Sequence, residues 1–473
     1  MIRQLVASVS LLALAACSIP SNGPPPTLTD AAQVGIANGP AATIDSEWWR
    51  AFGDPQLDAL VSQALAGNPS LAAAAARVRL AQSEIRGARA GALPHISVDA
   101  QEQYQRFSEH YIIPPPFGGS TEWVGQAQAN LNWNLDLFGR QAALVAQARS
   151  SAEAAALDAA AARLMIATAV AQGYVDYVRA DMLAKIANDF VQTRTESLRL
   201  ARTRIRNGLA SEFDARAAET LVAQAQQVAA RAAGDRELAT HALAALVGRG
   251  ADFYATLQPP VLDVTHSIAL PSVIPANLLG RRPDIRAARA RVESASAARR
   301  AARAAFFPNI NLIALAGFQS LGLSNLFTSG SATYGGGAAI SLPIFQGGQL
   351  SANFAGATAR RDVTVADYDT AVLRAVQEVA DAISQLRTAE TEAADQRAVV
   401  QGLEATVKLD RIRLTTGLGS QLDVLSSGDR LLTAQQAAVN IAAAGATARV
   451  RLFAALGGGF TDAPPTTTAG TRP

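Results

Sequence analysis

The sequence repeats itself at a scale of roughly half its length. Residues 69–98 read PSLAAAAARVRLAQSEIRGARAGALPHISV, and residues 283–312 read PDIRAARARVESASAARRAARAAFFPNINL. The offset is a constant 214 residues, and 13 of the 30 positions are identical. In each copy an Ala/Arg-rich helical stretch runs into a proline, Pro94 or Pro308, and then into alternating, strand-like sequence. A second pair lies downstream, RIRNGLASEFD at 204–214 and RLTTGLGSQLD at 413–423. Self-similarity on this scale means two copies of one structural unit, not a solenoid of short repeats.

The content of that unit is unusual. Residues 121–137 alternate: Trp123, Gly125, Ala127, Ala129, Leu131, Trp133, Leu135 and Leu137 on one face, Glu122, Gln126, Gln128, Asn130, Asn132, Asn134 and Asp136 on the other. Period-two alternation marks a strand. This one exceeds the usual globular length of about 5–6 residues and suits a membrane strand, which needs roughly 9–11 residues to cross. Trp123 and Trp133 stand where two interfacial aromatic girdles would lie. Residues 95–107 form a second expected strand, joined to the first by a Pro/Gly loop.

From 141 to 206 there is no proline and one glycine, Gly173. As one helix this stretch is about 100 Å long. Hydrophobic content is 49% with only 5% aromatics, and the excess is alanine, the best helix former. Gly208 breaks the helix, Ser211 is a candidate N-cap, and a shorter helix runs to about 247. The second copy repeats the plan: a helix from 284, strands at about 309–319 and 333–344, a long helix at about 347–415, a turn at 417–419 and a helix at about 420–456. The expected domains are therefore 54–257 and 284–457, joined by a Pro-rich linker at 258–283. Asp54-Pro55 marks the first helix start, an N-cap acceptor before proline. Residues 458–473 read as a disordered tail.

The N-terminus has the tripartite layout of a secretory signal over 1–16, with Arg3, an apolar core and Leu14-Ala15-Ala16 before Cys17. This ending resembles the bacterial lipobox, whose cysteine is lipidated. Residues 17–53 then read as a lipid-anchored extended segment. Cys17 is the only cysteine, so an internal disulfide is excluded. No later stretch of 18 consecutive apolar residues suggests a spanning helix.

Catalytic patterns are missing. The histidines, His95, His110, His241 and His266, have no metal-ligand spacing. No Gly-x-Ser-x-Gly elbow occurs. With Lys185 and Lys408 the only lysines, a phosphate loop is ruled out. A net charge of +2 gives no sign of nucleic acid. No enzyme activity, cofactor or metal is expected.

Four membrane strands cannot close a barrel, since the smallest single-chain barrels have eight, and an open sheet in lipid leaves unsatisfied edges. The chain must therefore oligomerise through its strand edges. Three copies would give twelve strands and, with the shorter helices stacked end to end, twelve helical columns, although this argument does not fix the number three.

The motifs WWRAFGDPQLDALVSQAL at 48–65, LDLFGR at 135–140, RRPDIRAARARV at 281–292, FFPNINL at 306–312 and SLPIFQGG at 341–348 resemble the TolC-type outer-membrane factor family. They are similar in particular to the lipidated OprM/NodT-like branch that serves resistance-nodulation-division efflux pumps. The resemblance spans Cys17 to about Gly459. It implies a homotrimer with a twelve-stranded β-barrel in the outer membrane of a Gram-negative bacterium, continued by a twelve-helix α-barrel in the periplasm. It also implies docking to a periplasmic adaptor (membrane fusion) protein and an inner-membrane pump, with passive export of small molecules such as drugs.

In the family the glycine turns contact the adaptor, which carries over to Gly208, Leu209, Ser211, Gly417, Leu418 and Ser420. Asp423 falls where the family places an acidic ring at the periplasmic constriction, and Asp214 is its counterpart in the first copy. Such a ring would attract cations and raise the pKa of its own members. Ser426 replaces a second acid found in some relatives. Leu414 and Gly419 stand where some carry a Tyr/Arg lock, with Arg411 and Arg413 nearby. Two other readings are a protein-secretion duct and a lipid-anchored periplasmic coiled-coil scaffold.

Overall fold

The structure, a computed structural model, describes residues 27–28, 45–110, 112–264 and 281–460. The signal segment, Cys17, residues 265–280 of the linker and 461–473 of the tail lie outside the described residues. In chain order the regular elements are α1 (Pro55–Gly67), α2 (Pro69–Ala90), β1 (His95–Arg106), β2 (Thr121–Leu135), α3 (Arg140–Arg206), α4 (Glu212–Val247), α5 (Pro283–Ala304), β3 (Asn309–Leu321), β4 (Ala332–Ser341), α6 (Gln349–Thr415) and α7 (Gln421–Ala455). Short 3-10 helices lie at Trp48–Phe52, Ala251–Thr256, Leu323–Asn325 and Ser329–Ser331. The chain divides into two compact units.

The first unit holds residues 77–156 and 287–368. Its centre is one antiparallel sheet in the order β1-β2-β3-β4. Two hairpins, one from each copy, meet where β2 pairs with β3, Leu131 opposite Ala314. β2 stops at Leu135, two residues short of the sequence expectation. There the Leu137 amide turns back to the Leu135 carbonyl at 2.8 Å, and the Asp136 carboxylate accepts from the Gln141 and Ala142 amides at 2.9 and 2.7 Å. Asp136 is thus spent on opening α3, whose first amides have no partners within the helix. β4 stops at Ser341, ahead of Pro343, which has no amide to donate to a ladder. β3 instead runs two residues further than expected, because Leu321 still finds a partner in Val124. Beside the sheet, Ser151 and Ser294 hydroxyls meet at 2.8 Å across α3 and α5. Arg299 donates to Thr358 Oγ1 at 3.0 Å while lying 4.8 Å over the buried Phe354 ring.

The second unit, residues 45–76, 157–264, 281–286 and 369–460 among those described, is helical. Its core gathers Trp48, Trp49, Leu57, Val61, Val170, Tyr174, Val178, Leu243, Val247 and Val450. Asp54 caps α1, accepting from the Gln56 and Leu57 amides at 2.8 and 3.3 Å. Its other oxygen accepts the Tyr174 hydroxyl proton at 2.6 Å. Burial, reinforced by this bond to Asp54, pushes the Tyr174 phenol far above its ordinary range. The segment expected to be an extended tether needs correcting at its end. Residues 48–52 form a 3-10 helix that buries Trp48 and Trp49, and Trp48 stacks on Phe453 at 5.5 Å. Two adjacent large rings exposed to water would forfeit several kcal/mol of transfer energy, about 1.5–3 per large side chain.

Helices α3 and α6 each have 67 residues, about 100 Å at 1.5 Å per residue. Part of α3 has a mean hydropathy of 1.5, enough by length and composition alone to cross a membrane. The exclusion of a spanning helix is therefore narrower than the sequence suggested. Alanine raises that value, and the large side chains Val170, Tyr174, Tyr177 and Val178 of α3 are buried in the helical core.

Candidate functional site: the open sheet and the two glycine turns

The sheet is open. Among the described residues β1 and β4 each have one strand neighbour and one bare edge. Residues paired across strands share a face, so the register sorts the whole sheet. One face carries Ile96, Val98 and Ala100 of β1, Ala127, Ala129, Leu131, Trp133 and Leu135 of β2, Ile310, Leu312, Ala314, Ala316 and Phe318 of β3, and Tyr334, Ala338 and Ile340 of β4. Glu102, Arg106 and Thr121 end the apolar band at the loop side. Much of this face is uncovered: Ile96 is 71% exposed, Val98 76% and Ile340 70%. Aromatic rings bound it at both ends. Tyr104 and Trp123 lie 4.9 Å apart, and the Trp133 indole donates to the Ala92 carbonyl at 3.0 Å. Ten residues at about 3.3 Å each, tilted about 40°, give an apolar band of roughly 25 Å.

The opposite face is polar in the first hairpin. Asn130 Nδ2 donates to Asp99 Oδ2 at 2.7 Å, Ser97 donates to the same oxygen at 3.0 Å, and Gln101 donates to Gln126 at 3.3 Å. In the second hairpin the same face is mixed: Ile313, Leu315, Gly317, Gly335 and Gly337 lie mid-strand, with Asn309, Asn311, Gln319, Thr333 and Ser341 toward the ends.

The second candidate site is the pair of turns at the ends of α3 and α6. Their geometries nearly coincide. Gly208 has φ +70° and Gly417 φ +76°, a left-handed conformation that glycine adopts without a Cβ penalty. The Leu209 amide donates to the Arg204 carbonyl and the Leu418 amide to the Arg413 carbonyl, both at 2.8 Å. This is the wrap that satisfies the last carbonyls of a helix. Ser211 and Ser420 then cap α4 and α7 with φ −100° and −102°. Asp214 Oδ2 accepts from the Ser211 amide at 2.8 Å and from its hydroxyl at 3.0 Å. Asp423 Oδ2 accepts from the Ser420 amide at 2.9 Å, and Ser420 Oγ accepts from the Asp423 amide at 3.2 Å.

Both expected gate acids are therefore capping-box partners. The Ser211 amide, then its hydroxyl, and Arg204 hold the Asp214 carboxyl below the usual range. The Ser420 amide, its hydroxyl and Arg413 do the same for Asp423. Within one chain this is opposite in direction to the rise expected from a ring of like charges. The Arg413 guanidinium donates to the Leu418 carbonyl at 3.4 Å, inside its own turn.

The turns also expose apolar side chains. Leu209 is 67% exposed and Leu418 75%. Sequence reasoning singled out these two but passed over Phe213 and Leu422, 79% and 73% exposed. The signal was available, since Phe213 and Leu422 stand at the same 209-residue offset as the leucines. The buried Arg194 was also missed. It pairs with Asp429, donates to the Leu425 carbonyl at 3.3 Å and lies 4.5 Å over the Phe190 ring. It thereby ties α3 to α7 across 235 positions, a separation at which no local motif operates. Among the described residues, no group of three or more His, Cys, Asp or Glu side chains converges as a metal site.

An apolar-faced open sheet joined to very long helices defines a subunit of a membrane duct. Residues 60–249 and 274–458 match the outer membrane efflux protein family, and the chain belongs to that family. The fusaric acid resistance protein FusA of Burkholderia cepacia is 33% identical over 365 residues, covering 75% of this chain and 68% of FusA. The probable efflux pump outer membrane protein TtgC of Pseudomonas putida is 30% identical over 96% of this chain and 95% of its own length. The crystal structure of the outer membrane protein VceC of Vibrio cholerae superposes with a TM-score of 0.82 at 32% identity, covering 88% of this chain and all of VceC. The chain is thus an outer-membrane efflux channel protein of TolC-like fold with a periplasmic helical part. The scaffold reading gave no reason for the sheet and falls.

Proposed function

We propose that three copies of this chain close edge to edge into a twelve-stranded barrel and form the exit duct of a tripartite efflux pump, passing small organic molecules outward. The observation that carries this reading is the sheet itself: an apolar face about one membrane thick, a polar opposite face, and two bare edges. In lipid each unsatisfied backbone group costs several kcal/mol, so β1 of one copy must pair with β4 of the next. The name of FusA, a fusaric acid resistance protein, supports a small organic compound as cargo.

At the far ends of α3 and α6, the exposed pairs Leu209/Phe213 and Leu418/Leu422 are the contact points for a periplasmic adaptor, framed by Gly208, Ser211, Gly417 and Ser420. An inner-membrane pump of the resistance-nodulation-division class supplies the energy. Asp423 and Asp214 line the periplasmic constriction, where their hydrogen bonds to Ser420 and Ser211 favour the charged carboxylate. Arg194 braces α7 against α3 behind Asp423. Lipidation of Cys17 adds an outer-membrane anchor of about 0.8 kcal/mol per buried CH₂.

The test is single-channel conductance of the Cys17→Ser protein in planar bilayers, with and without Asp423→Ala. Small cation-selective steps that enlarge or lose selectivity in the variant are expected. A protein that needs no detergent and conducts nothing removes the duct reading, and unchanged conductance in Asp423→Ala moves the gate elsewhere.

A further inference from the structure

Following the register across the water-side face of the sheet gives a complete inventory of its charges. The β1 residues are His95, Ser97, Asp99, Gln101, Gln103 and Gln105. From β2 come Glu122, Val124, Gln126, Gln128, Asn130, Asn132 and Asn134. β3 and β4 add only Asn, Gln, Ser, Thr and apolar or glycine positions. No Arg or Lys stands on this face in any of the four strands. Its acids are Asp99 and Glu122. Glu122 sits at the loop end, opposite Gln105, whereas Asp99 sits mid-strand, opposite Gln128. Continuing across that level, Gln128 faces Gly317 and Gly317 faces Thr333. Two of the four residues at this level are short, so little within the chain overhangs the carboxylate. Ser97 and Asn130 both donate to Asp99 Oδ2, which fixes the group in place. Arg106, the one arginine in the four strands, is on the apolar face and pairs with Glu109 at 3.1 Å, while His95 stands at the far end of β1 from it on the Asp99 face.

From this placement we propose that Asp99 is a selectivity-determining residue of the barrel lumen, favouring cationic over anionic solutes independently of the acids at the helical turns. The proposal rests on the trimeric barrel described above. There, three Asp99 carboxylates form a ring of fixed charge with no strand Arg or Lys on the same wall. Twelve strands about 4.8 Å apart and tilted about 40° enclose a backbone cylinder roughly 24 Å across. The radius of about 12 Å is close to the screening length of about 10 Å at 0.1 M salt. The ring therefore acts across the whole lumen in dilute salt, where screening extends to about 30 Å at 0.01 M, and is silenced near 1 M, where it shrinks to about 3 Å. A favoured solute is an organic cation, drawn in by the field of the wall and not by a contact.

The test is the reversal potential across bilayers under a salt gradient at about 0.01–0.1 M. It is read for the Cys17→Ser protein and for Asp99→Asn in the same background, since asparagine keeps both hydrogen-bond acceptance and size. Expected is a clear fall in the cation-to-anion permeability ratio with the conductance step retained, vanishing as salt approaches about 1 M. An unchanged ratio with normal conductance overturns the proposal and leaves selectivity to the turns. Because Cys17 is the only cysteine, Asp99→Cys and Val98→Cys supply single thiols at adjacent positions. A water-soluble sulfonate reagent restores cation preference at position 99, a quaternary ammonium reagent inverts it, and neither reaches position 98. Reaction at 98 but not at 99 reverses the face assignment and overturns the proposal. If the parent protein does not conduct at all, the duct reading itself fails, a result distinct from both.

Discussion

The two halves of the chain agree closely where the backbone must do a fixed job, and diverge where water is the neighbour. The long helices have equal length, 67 residues each, and the following helices have 36 and 35. The glycine turns agree in φ to within 6°, from +70° and +76°. Both hairpins keep an apolar membrane face. Mid-strand on the opposite face the first hairpin carries Asp99, Gln101, Gln126, Gln128 and Asn130, while the second carries Ile313, Leu315, Gly317, Gly335 and Gly337 and keeps its polar residues, Asn309, Asn311, Gln319, Thr333 and Ser341, toward the strand ends. Hydrocarbon penalises every polar insertion, so both copies obey it. Water tolerates a glycine as readily as a glutamine, so the copies were free to drift apart there.

The comparison breaks most visibly with a charge placed on adjacent strand positions. Ala127→Arg puts a guanidinium on the membrane face and is expected to cost about 2–4 kcal/mol per copy near the midplane, read as loss of folded trimer in detergent. Gln126→Arg, one residue away, leaves trimer yield unchanged. Leu315→Arg sharpens the point, because an apolar residue on the water-side face should accept the charge almost as well as Gln126.

A smaller effect separates two glycines of the second hairpin. A Cβ at Gly317 would collide with the Ala127 carbonyl oxygen and come within 2.7 Å of the Gln128 Cβ, whereas Gly337 has open space. Gly317→Ala is expected to weaken the pairing of the two halves by about 1–3 kcal/mol. Gly337→Ala is expected to be neutral, with urea unfolding of the detergent-solubilised protein as the measure.

The turns should differ by less. Ser420→Ala removes an acceptor for the Asp423 amide and is expected to cost about 1 kcal/mol of local helix stability. Ser211→Ala costs less, because the Asp214 amide also donates to the Ser211 carbonyl at 3.0 Å and keeps a partner when the hydroxyl is removed. Amide exchange at 212–216 and 421–425 distinguishes them.

The smallest effect is pH dependence, equal in both halves. The folded carboxyls of Asp214 and Asp423 lie below their ordinary value. Their contribution is full above the unfolded value of about 3.9 and is lost as pH falls through the folded value. Exchange protection at both turns is expected to hold from pH 7 to about 5 and to decline in parallel below 4. Protection that is flat down to pH 3, or that fails at one turn alone, contradicts the capping account.

Much of this was legible because each feature rests on local chemistry. Strand β2 announced itself through seven small or apolar residues on alternate positions, and the two turns through glycine followed by Ser-x-x-Asp. The strand ends were misplaced by two or three residues where a side chain or a proline took over from the ladder, as Asp136 and Pro343 did. The burial of Trp48 and Trp49 was hidden, because their partners Phe453 and Val450 lie four hundred residues away and leave no periodic trace. The same holds for Arg194, whose Asp429 partner is found only by folding. Phe213 and Leu422 are large and apolar, a type more often found inside, and only the geometry of the turns shows them to be exposed.

The matched lengths of α3 and α6 constrain how such a gene can change. A deletion of a few codons in one helix alone would withdraw its turn by about 1.5 Å per residue and leave its twin standing proud. Insertions and deletions must therefore survive in pairs, or be reversed. Once a duplication of this kind has occurred, the lineage holds two copies of one ruler that can be recut only together.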